Sequence, residues 1–250
     1  MHALFVMSSP LAAASALSFD FTQNTPLQSV TLYLFLASTA AMGAGALFFF
    51  LMRTNVESAY RSSLVISGVI CSIACFHYLK MTAIYQETGG EFPTALRYVD
   101  WLLTTPLILV QFPLLLRLGD RATRFFVQLV VFDVGMIVTA FIAETSPIGS
   151  QAWWGFFAAA CFLELLIVAV IYLSLGAAIE AAPRPLARAL QAMRQFILIG
   201  WAVYPIGFLM AFSGYGEVRE IIYNIADVLN KVGFGLAAYQ GVQALSYSAE

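Results

Sequence analysis

The sequence predicts an all-α membrane protein, a seven-transmembrane-helix bundle, and three observations carry that reading. The chain is 61% hydrophobic and only 10% charged, with mean hydropathy +0.84, whereas about a quarter of the residues of a soluble domain are charged. Its apolar residues are gathered into seven consecutive runs. None of the runs alternates in polarity as the shorter strands of a membrane barrel do.

The runs cover 30–52, 62–85, 96–116, 125–143, 152–173, 196–212 and 221–245. Most reach the roughly 20 residues a spanning helix needs, and the shorter ones lie near the lower limit of about 17. Residues 1–28 read as an extracellular N-terminal tail, 29–247 as one domain and 248–250 as a cytoplasmic end. Residues 1–18 contain an Ala-rich apolar stretch that leaves a signal peptide open, although the usual basic n-region is missing.

Basic residues set the orientation. Arg53 and Arg61 follow the first run, Arg117, Arg121 and Arg124 the third, and Arg184, Arg188 and Arg194 the fifth. The opposite side offers only Lys80, Arg97 and Arg219. The excess places the first set of loops in the cytoplasm, the N-terminus outside and the C-terminus inside a cell membrane, read as a bacterial inner membrane.

Within the seventh run stand two charges, Asp227 and Lys231. A charged side chain at that depth costs about 2.5–3.5 kcal/mol, which makes it a functional candidate. Burial disfavours the ammonium form and leaves an amine able to attack an aldehyde. Tyr223, Asp227 and Lys231 recur every four residues and share a helix face, so a carboxylate lies one turn from the amine. A purely structural ion pair is the alternative, and a costly one.

The third run carries a second constellation. Arg97, Asp100, Thr104 and Gln111 follow at intervals of three, four and seven, and that face must turn toward the bundle interior. Alone, Arg97 could be an interfacial snorkelling residue; beside Asp100 and Asp227 it completes a charge cluster around a buried cation. Cys71, Cys75 and Cys161 lie within apolar runs and read as packing residues. With two histidines and no ligand-spaced cluster, no metal site is indicated.

Three motifs resemble those of microbial rhodopsins. Arg97, Tyr98, Val99, Asp100, Trp101, Leu102, Leu103, Thr104, Thr105 and Pro106 resemble the family's third helix; Trp201, Ala202, Val203, Tyr204 and Pro205 its sixth; and Asp227, Val228, Leu229, Asn230 and Lys231 its seventh. They stand in the right order and the resemblance spans the chain from the first run to the last. His77 and Tyr78, with Glu87, Thr88 and Gly89, favour the proteorhodopsin group.

The resemblance implies a retinal-binding photoreceptor rather than an enzyme. Lys231 would hold all-trans retinal as a protonated Schiff base, Asp100 would be primary counterion and proton acceptor, and Asp227 the second counterion. Arg97 would organise water and charge on the extracellular side. Thr104 would hydrogen-bond Asp100, and Tyr204 and Tyr223 would bond Asp227, with packing roles open for both tyrosines. His77 would pair with Asp100, unless it is a satisfied core histidine. Trp101 and Trp201 would sandwich the polyene, with Tyr204, Pro205, Phe208, Phe156 and Met136 around it. Ile108 stands where an apolar residue accompanies green absorption, and Phe156 where antenna-binding relatives tend to carry glycine, which argues against a carotenoid. A homo-oligomer, pentamer or trimer, is expected within the bilayer.

Two further acids lie in apolar runs. Asp133 would bond Thr105 as a neutral carboxyl, since an isolated charge in an apolar medium is too costly. Glu164 fits no family motif, and stays open between an interhelical or oligomer contact and a proton relay. Glu144, Glu217 and Glu220 are extracellular acids for proton release, with a solvated surface role expected for each.

The departure from the family is Gln111, where fast pumps carry Asp or Glu. Glutamine cannot supply a proton. Asp100 with Thr104 still resembles the light-driven outward proton pumps, so the expectation is a pump whose reprotonation is slow. A photosensor signalling through a transducer is the alternative.

Overall fold

A computed structural model describes residues 25–248. Residues 1–24 and 249–250, and with them most of the expected N-terminal tail and C-terminal end, lie outside the described residues. Among the described residues seven long helices run back and forth, with a short helix Gly176–Ala181 between the fifth and the sixth: α1 (Pro26–Met52), α2 (Arg61–Glu87), α3 (Thr94–Leu115), α4 (Asp120–Thr145) and α5 (Gln151–Ala169 continuing as Val170–Ser174). α6 comprises Arg184–Gln195, Phe196–Gly200 and Val203–Phe212, and α7 comprises Gly216–Val228, Leu229–Gly233 and Phe234–Ser248. There is no strand among the described residues.

Local chemistry fixes the ends. Thr25 accepts from the Gln28 amide at 3.2 Å while the Gln28 side chain accepts from the Thr25 amide at 2.9 Å, a reciprocal cap on α1, with Pro26 in the first turn. Ser150 caps α5 by accepting from the Trp153 amide at 3.1 Å. The turn from α2 to α3 needs positive φ at Gly89 and Gly90, 71° and 107°, which glycine adopts without a Cβ clash.

Among the described residues six helical segments are long and apolar enough to span a membrane, Pro26–Asn55, Ser58–Glu87, Thr94–Leu115, Arg121–Thr145, Gln151–Ser174 and Arg184–Phe212. The seventh spanning helix, α7, is more polar because its inward face carries Arg219, Glu220, Asn224, Asp227 and Lys231, all buried. Ile225, Leu229 and Leu236 remain on its outer face. A polar stripe facing inward and an apolar one facing lipid are what a bilayer requires of such a helix.

The sixth helix begins a dozen residues earlier than its apolar run. In Arg184–Gln195 the buried residues are Leu186, Ala189, Leu190 and Met193, spaced three and four apart, while Arg184, Arg188 and Arg194 keep hydropathy low. Hydropathy alone loses such an amphipathic extension.

π-helical turns interrupt α5, α6 and α7 at Val170–Ser174, Phe196–Gly200 and Leu229–Gly233. Such bulges leave carbonyls free for other partners. On α6 the Gly200 carbonyl accepts from Asn230 Nδ2 at 3.0 Å, joining two bulges across the α6–α7 contact. Gly200 has no Cβ to collide with that amide. Trp153 stacks on Phe208 with centroids 4.5 Å apart, and Phe157 on the same ring at 4.6 Å, fastening α5 to α6.

Candidate functional site

The α7 bulge contains Lys231, and α3 presents Asp100 to it. Lys231 Nζ lies 2.5 Å from Asp100 Oδ2 and 3.2 Å from Asp227 Oδ2. All three are buried, at 3%, 0% and 0% exposure. In so dry a setting each charge needs the others, since removing one partner leaves an uncompensated ion.

The two carboxylates are held differently. Asp227 accepts from Tyr204 at 2.6 Å, from Tyr78 at 2.8 Å and from the Trp101 indole at 3.1 Å. Asp100 Oδ2 faces the amine, while Oδ1 makes no hydrogen bond and lies 3.5 Å from His77 Nδ1. His77 Nδ1 lies closer to the Ile73 carbonyl, at 2.9 Å. Asp227 is thus a saturated acceptor and Asp100 has an oxygen to spare, which suits Asp100 to receive a proton.

Two expected contacts, those of Thr104 and Tyr223, resolve otherwise. Thr104 donates to the Asp100 main-chain carbonyl at 2.8 Å, not to its carboxylate, because a helical threonine reaches the carbonyl four residues back most readily. Tyr223 donates to the Tyr204 carbonyl at 2.6 Å instead of to Asp227, whose acceptor positions are filled by Tyr204, Tyr78 and Trp101. Arg97 joins the cluster to its outer side: its Nη2 donates to Asn224 Oδ1 at 2.5 Å, its Nη1 lies 3.4 Å from Glu220, and its guanidinium lies over Phe92 at 4.4 Å. Thr105 donates to Asp133 at 2.8 Å, as expected of that pair.

Lys231 opens into a cavity walled by Tyr98, Trp101, Thr105 and Ile108 of α3, Met136, Ile137 and Ala140 of α4, and Phe157, Ala160, Cys161 and Glu164 of α5. Trp201, Tyr204, Pro205 and Phe208 of α6 and Tyr223, Asp227 and Asn230 of α7 close it. Trp101, Trp201, Tyr204, Pro205, Phe208, Met136, Thr105 and Ile108 therefore stand at the wall. Phe156 does not: it is 36% exposed, and Phe157 takes its place. Residues 157, 160, 161 and 164 form one helical stripe, and a one-residue step rotates the side chain about 100° away from it. Apolar walls with one convergent amine and two carboxylates are the chemistry of a site for a long apolar aldehyde.

On either side of this centre the polar groups differ. Arg219 bridges Glu144 of α4 and Glu220 of α7, both at 2.7 Å. Glu220 is thus buried and Glu144 half-buried, partners in an ion-pair chain reaching Arg97 and not the solvated surface groups expected, while Glu217 is exposed. The arginines compensate their charge, and so allow the burial. Toward the other end, Gln111 is fully buried and accepts from Ser63 at 2.8 Å and Ser67 at 3.2 Å, its Nε2 making no hydrogen bond. The cysteines are free, and no group of three potential metal ligands occurs among the described residues.

Tyr78 and Asn230 enter the sequence reading only as motif neighbours of His77 and Lys231, and Asn224, Ser63 and Ser67 do not enter it. Asn224 carried a signal, three residues before Asp227 on the same face. Ser63 and Ser67 carried a weaker one, an i,i+4 pair of hydroxyls in an apolar run.

Residues 29–245 match the family described as bacteriorhodopsin-like protein. A green-light absorbing proteorhodopsin of Gamma-proteobacterium EBAC31A08 is 33% identical, over 92% of this chain and 91% of that protein. A blue-light absorbing proteorhodopsin of Gamma-proteobacterium Hot 75m4 is 36% identical, over 79% and 80%. The structure of Exiguobacterium sibiricum rhodopsin superposes with TM-score 0.82 at 38% identity, covering 89% of this chain and 99% of that one. Xanthorhodopsin, titled a light-driven ion pump with dual chromophore, gives 0.82 at 30% identity over 90% and 97%. With the family match spanning nearly the whole bundle, the chain belongs to the bacteriorhodopsin-like family of microbial rhodopsins.

Proposed function

We propose that this chain is a light-driven outward proton pump of the cell membrane, carrying all-trans retinal on Lys231. The observation that carries the reading is Lys231 Nζ set between Asp100 and Asp227 at the mouth of an aromatic-walled cavity. When bound, retinal supplies light absorption and a change of shape next to the Lys231 nitrogen. Everything else falls to the chain's own residues.

Asp227, fixed by three donors, stays an anion and holds the positive nitrogen in place. Asp100, 2.5 Å from that nitrogen and with one oxygen unbonded, takes its proton. His77, 3.5 Å from that free oxygen, positions the acceptor. Arg97, Glu220, Arg219 and Glu144 continue the path toward the end that the basic residues mark as outer. Asp133 and Thr105 brace α3 against α4 beside the cavity. Trp101 and Trp201 restrain the polyene, and Ile108 at the wall supports green absorption.

Gln111 gives the pump its expected weakness. It occupies the route from the other end and has no proton to give, so return of a proton to the nitrogen depends on the bulk phase. The late step is accordingly slow and slows further as pH rises. That same slowness favours a second reading, a photosensor coupled to a partner. Oligomerisation of the bundle in the bilayer, as a pentamer or trimer, belongs to either.

Illumination of cells or vesicles in unbuffered medium separates the two. The pump acidifies the exterior, and a protonophore abolishes the change. A coloured, folded protein that moves no protons would sink the pump.

A further inference from the structure

Glu164 is the one carboxyl of the cavity that the pump does not use. It lies one turn beyond Cys161 on the α5 stripe that also presents Phe157 and Ala160, and it makes no hydrogen bond or ion pair among the described residues. Its wall is formed with α4, across the bundle from the place where α2, α3 and α7 hold Lys231 between its carboxylates. The cavity wall therefore carries two carboxyls, Asp227 at the nitrogen, where Asp100 also meets the amine, and Glu164 on the α5 side.

The two ends act on colour in opposite senses. In the dark the positive charge sits at the nitrogen, where Asp100 and Asp227 stabilise it. Absorption moves positive charge along a conjugated chain away from the nitrogen, so a negative group beside the nitrogen widens the gap and one at the far end narrows it. We infer that Glu164 is a colour-setting group of the distal wall, whose ionisation moves the absorption to longer wavelength. This rests on the retinal reading above.

The other titratable groups of the cavity are Cys161 of α5, Tyr98 of α3, Tyr204 of α6, and Tyr223, Asp227 and Lys231 of α7. α4 contributes only apolar side chains there. Glu164 is thus the carboxyl of the cavity wall that no donor holds, since the Asp227 oxygens are held by Tyr78, Tyr204 and Trp101.

The test is an absorption titration of the full chain reconstituted with all-trans retinal, from acid to alkaline pH, beside Glu164→Gln, Glu164→Leu and Asp100→Asn. A transition to longer wavelength is expected as pH rises. Glu164→Gln and Glu164→Leu remove it, and Asp100→Asn keeps it. If a Glu164 variant does not fold, the titration of the unmodified protein decides alone. Absence of a long-wavelength transition there, or its persistence in Glu164→Gln, overturns the inference and leaves the pump standing. Failure of the unmodified chain to form any pigment overturns the retinal reading and this inference together.

Discussion

Divided at Lys231, the two halves of the bundle are built on opposite rules. The half toward the start of α3 and α7 is crowded with matched charges: Asp100 and Asp227 on the amine, then Arg97, Glu220, Arg219 and Glu144 in an ion-pair chain. The other half is more apolar. Among the described residues it buries Gln111 with Ser63 and Ser67, and apolar side chains such as Leu109, Phe112 and Phe234. The contrast teaches where each half of the transport cycle is difficult. A proton leaving Lys231 meets acceptors at hydrogen-bond distance, whereas one returning must pass a side chain that cannot carry it.

The comparison breaks most completely at its divide. Lys231→Ala removes the only amine at the cavity, and no visible pigment should form when retinal is added, read by absorption. Next comes the acceptor: Asp100→Asn keeps the shape but not the proton affinity, and light-driven acidification should fall by about 10²-fold or more, the scale of a lost proton-transfer group. The apolar half is sharpened by Gln111→Asp. Flash photolysis should then show the late step accelerated by up to about 10²-fold, with its slowing at high pH abolished, whereas in the unmodified chain the rate falls with proton concentration. The smallest effect belongs to Tyr223→Phe. Losing its bond to the Tyr204 carbonyl should cost about 1 kcal/mol, seen as a lower melting temperature with the colour nearly unchanged, because Tyr223 does not touch Asp227.

What the sequence made legible follows the same divide. Residues on one helix at intervals of three and four must share a face, and so Asp227 with Lys231, and Arg97 with Asp100, Thr104 and Gln111, were readable before any coordinates. All of them are buried as that spacing requires. Contacts between helices depend on rotation and depth, which spacing does not encode. Hence Tyr223 was assigned to Asp227 while Tyr78, from α2, holds that carboxylate. Phe156 was put at the cavity, one residue from the Phe157 that lines it. Glu144 and Glu220 were read as solvated because nothing along the chain shows that Arg219 would bring them together.

The most direct measurement is the light-minus-dark infrared difference spectrum in the carboxyl C=O region, taken with simultaneous external pH. The account predicts a protonated-carboxyl band on illumination that shifts in Asp100→Glu and vanishes in Asp100→Asn, accompanied by acidification outside. A band untouched by Asp100 substitution, or acidification that persists in Asp100→Asn, would contradict it.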